Sequence, residues 1–123
     1  MTEELLEKLV EFSQKYLPYE DRDLIKNYFK THSGYGTIDF AVDDKQEIIG
    51  LVRYNISPDG ETGEILDLVI RPDWRYQGLG NNFIRKALKT FTKAKFLAFR
   101  RDRKTRKEER RLLISEVLKH NFF

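Results

Sequence analysis

Ile65-Leu66-Asp67-Leu68-Val69-Ile70, followed after four residues by Arg75-Tyr76-Gln77-Gly78-Leu79-Gly80, decides the fold of this chain. The first six residues are almost continuously apolar, which reads as a strand covered on both faces and central in a sheet. Beyond the turn, Leu79, Phe83, Ile84, Ala87, Leu88 and Phe91 recur at helical spacing, the clearest such stripe in the sequence. A strand feeding a glycine-bearing turn that opens a helix leaves several backbone N–H groups unpaired and pointing one way. The helix dipole adds roughly half a positive charge at that end. Such a junction is built to receive an anion, and a phosphate is its natural guest.

Working back from the junction, the strand Glu64–Ile70 is preceded by two others. Thr37–Val42 and Ile48–Ile56 are separated by the turn Asp43-Asp44-Lys45-Gln46. Ser57-Pro58-Asp59-Gly60-Glu61-Thr62-Gly63 supplies the turn residues of the next connection. Three strands joined by short turns predict an antiparallel meander. Before it lie two helical stripes. Leu5, Leu9, Phe12 and Tyr16 form the first, with Glu3 and Glu4 at its start and Pro18 ending it. Leu24, Ile25, Tyr28 and Phe29 form a shorter second, after the acidic Glu20–Asp23, and Ser33-Gly34-Tyr35-Gly36 closes it as a loop.

Working forward, Lys95–Phe99 reads as a fourth strand. Reached through a crossover helix, it should run parallel to Glu64–Ile70. Thr105-Arg106-Lys107-Glu108 has capping-box spacing, which predicts a last helix carrying Leu112, Leu113 and Val117. The expected fold is a single mixed α/β domain of the α+β kind over residues 1–123. An antiparallel meander leads into a strand–helix–strand crossover, with helices on both faces of the sheet.

A chain of 123 residues suits one domain. It has no cysteine, which excludes a disulfide framework and thiolate metal sites, and two distant histidines offer no metal site. No run of about 20 apolar residues exists, and Met1-Thr2-Glu3-Glu4 is acidic rather than signal-like, so the expected setting is the cytoplasm. The net charge of +3 hides a division. Residues 1–70 hold 7 Lys and Arg against 15 Asp and Glu, a net of −8; residues 71–123 hold 16 against 5, a net of +11. An anionic partner for the second half follows, and nucleotide phosphates and nucleic acid both qualify.

Glycines before a helix occur in three phosphate-binding motifs. A P-loop needs Lys-Ser/Thr after its last glycine, where this chain has Asn81-Asn82. A dinucleotide fingerprint needs a third glycine where Phe83 stands, and a leading βαβ unit in place of a meander. The whole stretch Val69–Gly80 instead resembles the acyl-CoA-binding motif of the GNAT superfamily of N-acetyltransferases. That motif is Arg/Gln-x-x-Gly-x-Gly/Ala after a strand often ending in Val-x-Pro. Arg75, Gly78 and Gly80 match it in place, Pro72 falls where the family often has proline, and the order of elements agrees over most of the chain.

The resemblance implies acetyl-CoA as co-substrate and direct transfer of its acetyl group to a primary amine, on a small molecule or a lysine side chain. It implies that the amides around Tyr76, Gln77, Gly78, Leu79, Gly80 and Asn81 hold the diphosphate, with Arg75 fixing the loop. Leu68, Val69 and Ile70 would receive pantetheine in a gap between splayed parallel strands, with the N–H near Val69 facing the thioester oxygen. Glu64 and Asp67, upstream on the same strand, stand where family members often carry a catalytic or substrate-binding carboxylate. Three residues apart on a regular strand, they should face opposite sides of the sheet.

Many family members place a tyrosine on the last helix as the acid for the leaving thiolate; Val117 sits near its place here, and Tyr76 and Tyr35 are the alternatives. The chain is expected to lack the family's usual C-terminal β-hairpin, which Phe122-Phe123 would only begin. An apolar sheet edge left open in this way leads us to expect a homodimer. Residues Arg100–Arg111 hold eight basic residues in twelve, which suits CoA's 3′-phosphate, a solvated loop, or a nucleic-acid surface. A non-catalytic domain binding acyl-CoA or nucleic acid is therefore the competing reading.

Overall fold

The computed structural model describes residues 2–17, 21–31, 37–91, 93–99 and 111–115. The elements are α1 (Glu3–Tyr16), α2 (Arg22–Thr31), β1 (Thr37–Val42), β2 (Ile48–Ile56), β3 (Thr62–Ile70), a 3-10 turn (Pro72–Trp74), α3 (Leu79–Thr90), β4 (Phe96–Phe99) and β5 (Arg111–Leu113). The strands form one sheet in the order β1-β2-β3-β4-β5. β1, β2 and β3 are antiparallel neighbours, and β4 runs parallel to β3, as expected from the meander and the crossover.

Local chemistry sets the ends of the leading helices. Thr2 caps α1, its Oγ1 accepting from the Leu5 amide at 3.1 Å. The Asp21 carboxylate caps α2 by accepting from the Asp23 and Leu24 amides at 2.9 and 3.2 Å. Glu7 then ties the two helices together, pairing with Lys26 at 2.8 Å and with Arg22.

The two faces of the sheet carry separate cores. Leu6, Leu9, Val10 and Phe12 of α1, with Ile25 and Phe29 of α2, cover Ile48, Leu51, Phe40 and Val69. On the other face, Phe83, Ile84, Ala87 and Leu88 of α3 pack on Val52, Tyr54, Ile65 and Leu97. Gly63 permits this close approach, since a Cβ there would fall 2.2 Å from the Phe91 ring. β3 lies between the cores and in mid-sheet, where its apolar run predicts it.

Three expectations need correction. Leu112 and Leu113 do not belong to a helix; with Arg111 they form β5, antiparallel to β4. Pairing there satisfies backbone groups that β4 would otherwise leave bare at the sheet edge, a tertiary gain to which a three-residue helical stripe is blind. The capping box at Thr105 and Val117 lie outside the described residues. The open apolar edge behind the expected homodimer is likewise filled at Phe96–Ala98 by β5.

The third correction concerns β3. The β2–β3 register runs Ile56↔Gly63, Asn55↔Glu64, Tyr54↔Ile65 and then shifts to Arg53↔Asp67, leaving Leu66 as the extra residue of a bulge. A bulge breaks the alternation of side chains along its strand. Gly63 and Ile65 face α3, so Glu64 between them faces α1 and α2. Asp67, opposite Arg53, borders a space lined by Ser13, Ile25 and Phe29 of those same helices. Glu64 and Asp67 therefore share a face.

Candidate active site

The bulge at Leu66 is also where the described pairing of β3 with β4 ends. The two strands pair at Thr62↔Phe96, Gly63↔Leu97, Glu64↔Ala98 and Ile65↔Phe99. Beyond Ile65, β3 continues for Leu66–Ile70 with no partner on that side among the described residues. A cleft of about 930 Å3 opens there. Leu66, Asp67, Leu68, Val69 and Ile70 form one wall, and Arg75, Tyr76, Gly78, Leu79, Gly80 and Asn81 form its mouth.

The mouth is the N-terminus of α3. Gly78 caps the helix in the left-handed region at φ +85°, where a side chain is strained. The Asn82 amide donates to the Gly78 carbonyl at 3.0 Å and begins the helical ladder. Among the described residues no carbonyl accepts from the amides of Gln77 through Asn81. These donors stand at the positive end of a 12-residue helix, beside an open cleft.

Side chains tie this loop to the sheet. Arg75 Nε donates to the Ile70 carbonyl at 3.1 Å, which joins the loop to the end of β3. Gln77 turns its amide back to the Asp73 carbonyl at 3.2 Å. Arg71 grips both oxygens of the Asp73 carboxylate at 2.7 and 3.0 Å and reaches Asp43 Oδ2 at 3.4 Å. Asp43 in turn organises the β1–β2 turn, accepting from the Lys45 and Glu47 amides at 2.9 and 3.0 Å.

These contacts set an acid limit on the fold. The Arg71 guanidinium holds the Asp73 carboxyl below its ordinary value of 3.8. The Glu47 amide, then the Lys45 amide and Arg71, do the same for Asp43, and the Lys26 ammonium lowers Glu7 from 4.5. A carboxylate with a depressed folded-state pKa stabilises the fold fully above its unfolded value, and that contribution fades as pH falls through the folded value. Urea midpoints should therefore hold level down to about pH 5 and then fall as pH drops through 4.5 and 3.8. Arg71→Met should flatten part of that acid limb. An identical limb in the variant would show that Arg71 does not hold the two aspartates.

The remaining predicted site residues are placed unequally. Asp67 reaches the cleft wall, but its Oδ2 pairs with Arg53 Nη2 at 2.5 Å, with only 7% of each residue exposed. Glu64 is 9% exposed and lies three residues back, in the part of β3 still paired to β4. Leu68, Val69 and Ile70 line the cleft. Tyr35 and Val117 lie outside the described residues.

Two contributors were missed. Arg53 is one; a lone charge in the apolar stretch Ile48–Tyr54 does signal a buried carboxylate partner. The other is the end of α1, where Tyr16 and Leu17 close the cleft from the helical side. Tyr16 reads from spacing as core, and it does pack there, stacking on Phe12 at 4.8 Å between ring centroids.

Comparison with known proteins agrees with this fold. No curated protein sequence matches the chain. The fold is that of an aminoglycoside 6′-N-acetyltransferase crystallised with coenzyme A (TM-score 0.65, 16% identity, 80% of this chain and 56% of that one). It is shared by GCN5 from Tetrahymena (0.57, 18% identity, 78% and 60%). NAA60 of Arabidopsis thaliana, in complex with a bisubstrate analogue, is similar to a like degree (0.59, 20% identity, 80% and 70%). The chain spans between half and two thirds of the length of the first two. The profile of the acetyltransferase (GNAT) family matches residues 2–106. The chain belongs to the acetyltransferase (GNAT) family.

Proposed function

We propose that the protein binds acetyl-CoA in the β3–β4 cleft and passes its acetyl group to a primary amine. The observation that carries this reading is the coincidence of a cleft along Leu66–Ile70 of β3 with a helix mouth whose amides have no carbonyl partner among the described residues. The amides of Gln77–Asn81 receive the diphosphate, and Gly80 lets it close on the backbone. The cleft-side edge of Leu68–Ile70 receives the pantetheine arm. The Val69 amide, like that of Arg71, turns towards β2, so the Leu68 N–H is the donor placed to stabilise the thioester oxygen as it gains charge.

The amine attacks the thioester carbon, the tetrahedral intermediate collapses, and the thiolate leaves. The amine must lose a proton and the thiolate must gain one. Glu64 and Asp67 share the α1/α2 face, so both can serve an acceptor entering from that side. Asp67 holds its carboxylate against Arg53, which suits it to positioning, and Glu64 is the base of this reading. Two hydroxyls among the described residues line the cleft, those of Tyr16 and Tyr76, and solvent can supply the thiolate's proton. The net negative charge of residues 1–70 favours a cationic amine.

Coenzyme A at 100 times its dissociation constant should stabilise the fold by about 2.7 kcal/mol, a rise in Tm of roughly 10 °C for a chain this size. Thiol release with a panel of polyamines and lysine peptides then reads turnover. No shift with CoA, beside a salt-sensitive shift with RNA or DNA, would favour nucleic-acid binding.

A further inference from the structure

Tyr76 is at odds with its surroundings. Its backbone sits in the left-handed region at φ +64°, a conformation that costs a non-glycine residue about 1–2 kcal/mol. Its side chain is 103% exposed, so the ring recovers none of that cost by packing. Gln46, which has the same φ, occupies a hairpin turn where an exposed polar residue is ordinary. Tyr76 instead lines the cleft, one residue before the first of the unpaired amides. A large aromatic held in a strained conformation and left bare beside a ligand cleft is a surface kept for the ligand.

We propose that the Tyr76 ring is a stacking platform for the purine base of the coenzyme, which rests on the acetyl-CoA reading given above. The rest of the molecule's length is already matched: the acyl arm to the apolar edge of β3, the diphosphate to Gln77–Asn81. The nucleoside is the one part with a flat π face, and it hangs next to the diphosphate, as Tyr76 hangs next to the amides. Stacking on a bare ring is tolerant of geometry and needs no hydrogen-bond partner, which agrees with a side chain that makes none among the described residues.

Calorimetric titration of Tyr76→Phe, Tyr76→Gly and Tyr76→Asn with CoA and with 4′-phosphopantetheine, which keeps one phosphate and lacks the second phosphate, the nucleoside and its 3′-phosphate, tests this. Phe keeps the face and should keep wild-type affinity for both ligands. Gly and Asn both accept the left-handed conformation without a ring, and each should lose roughly tenfold in CoA affinity while 4′-phosphopantetheine binds as before. Their Tm should equal or exceed that of the wild type, because no packing is lost and strain is relieved. Unchanged CoA affinity in Gly and Asn, an equal loss with 4′-phosphopantetheine, or a Phe variant as weak as Gly would each overturn the proposal. If wild-type protein binds 4′-phosphopantetheine but CoA no more tightly, the platform fails while the cleft reading stands. If it binds neither, both fall.

Discussion

Asp67→Ala will cost the fold about 3–5 kcal/mol, and Arg53→Met will cost a similar amount. Each change takes away the salt-bridge partner of a charge that is 93% buried, and weakening the compensation of a charge in the interior is among the most destabilising single defects. That loss is a third or more of the stability of an ordinary domain. The double variant Arg53→Met/Asp67→Leu removes both charges and should recover most of the loss, since a packed apolar pair can replace a buried ion pair at little net cost. Urea unfolding followed by circular dichroism reads all three. A loss below about 1 kcal/mol in either single variant would show that water reaches the pair.

The same argument changes how catalysis should be probed. Lost turnover in Asp67→Ala would report a damaged fold as readily as a missing base. Glu64→Gln preserves shape and polarity on the same face of β3, so its pH–rate profile is the sounder test of a base.

Gly80→Asp will separate binding from folding. Among the described residues a Cβ at this position meets nothing closer than the Leu68 Cδ2 at 3.9 Å, and a carboxylate suits the first turn of a helix. The variant should be as stable as the wild type or more so. Its carboxylate, however, would stand among the amides of the cleft mouth, where the proposed reading brings the diphosphate. Losing one charge-assisted contact corresponds to roughly a 10- to 150-fold loss of CoA affinity. Equilibrium titration alongside a thermal melt gives both numbers. Undiminished affinity would mean the phosphates are held elsewhere.

Much of this was legible because local and global signals agree at the junction. The stripe from Leu79 begins where α3 begins, and the apolar run of β3 lies in mid-sheet. Gly78, Leu79 and Gly80 lie along the mouth of the cleft beside β3. What escaped depends on contacts far apart in sequence. Counting back from the Ser57–Glu61 turn without a bulge sets Arg53 opposite Leu66; the one-residue shift that brings Asp67 there leaves no mark in composition. The same shift turned Glu64 and Asp67 to one face, against the period-two expectation. β5 escaped because three residues gain their strand conformation from β4. The Arg71–Asp73–Asp43 network spans 28 residues from β3's end to the β1–β2 turn, a distance that no local pattern covers.

The central claim is that the amides at the mouth of α3 hold a diphosphate beside the cleft along Leu66–Ile70 of β3. Amide chemical shifts of 15N-labelled protein titrated with CoA test it most directly. The account predicts that Gln77, Gly78, Leu79, Gly80 and Asn81 move together, saturate with one affinity, and carry Leu68–Ile70 with them. Amides at these positions that stay still while CoA binds, with shifts confined to the basic stretch Arg100–Arg111, would contradict it.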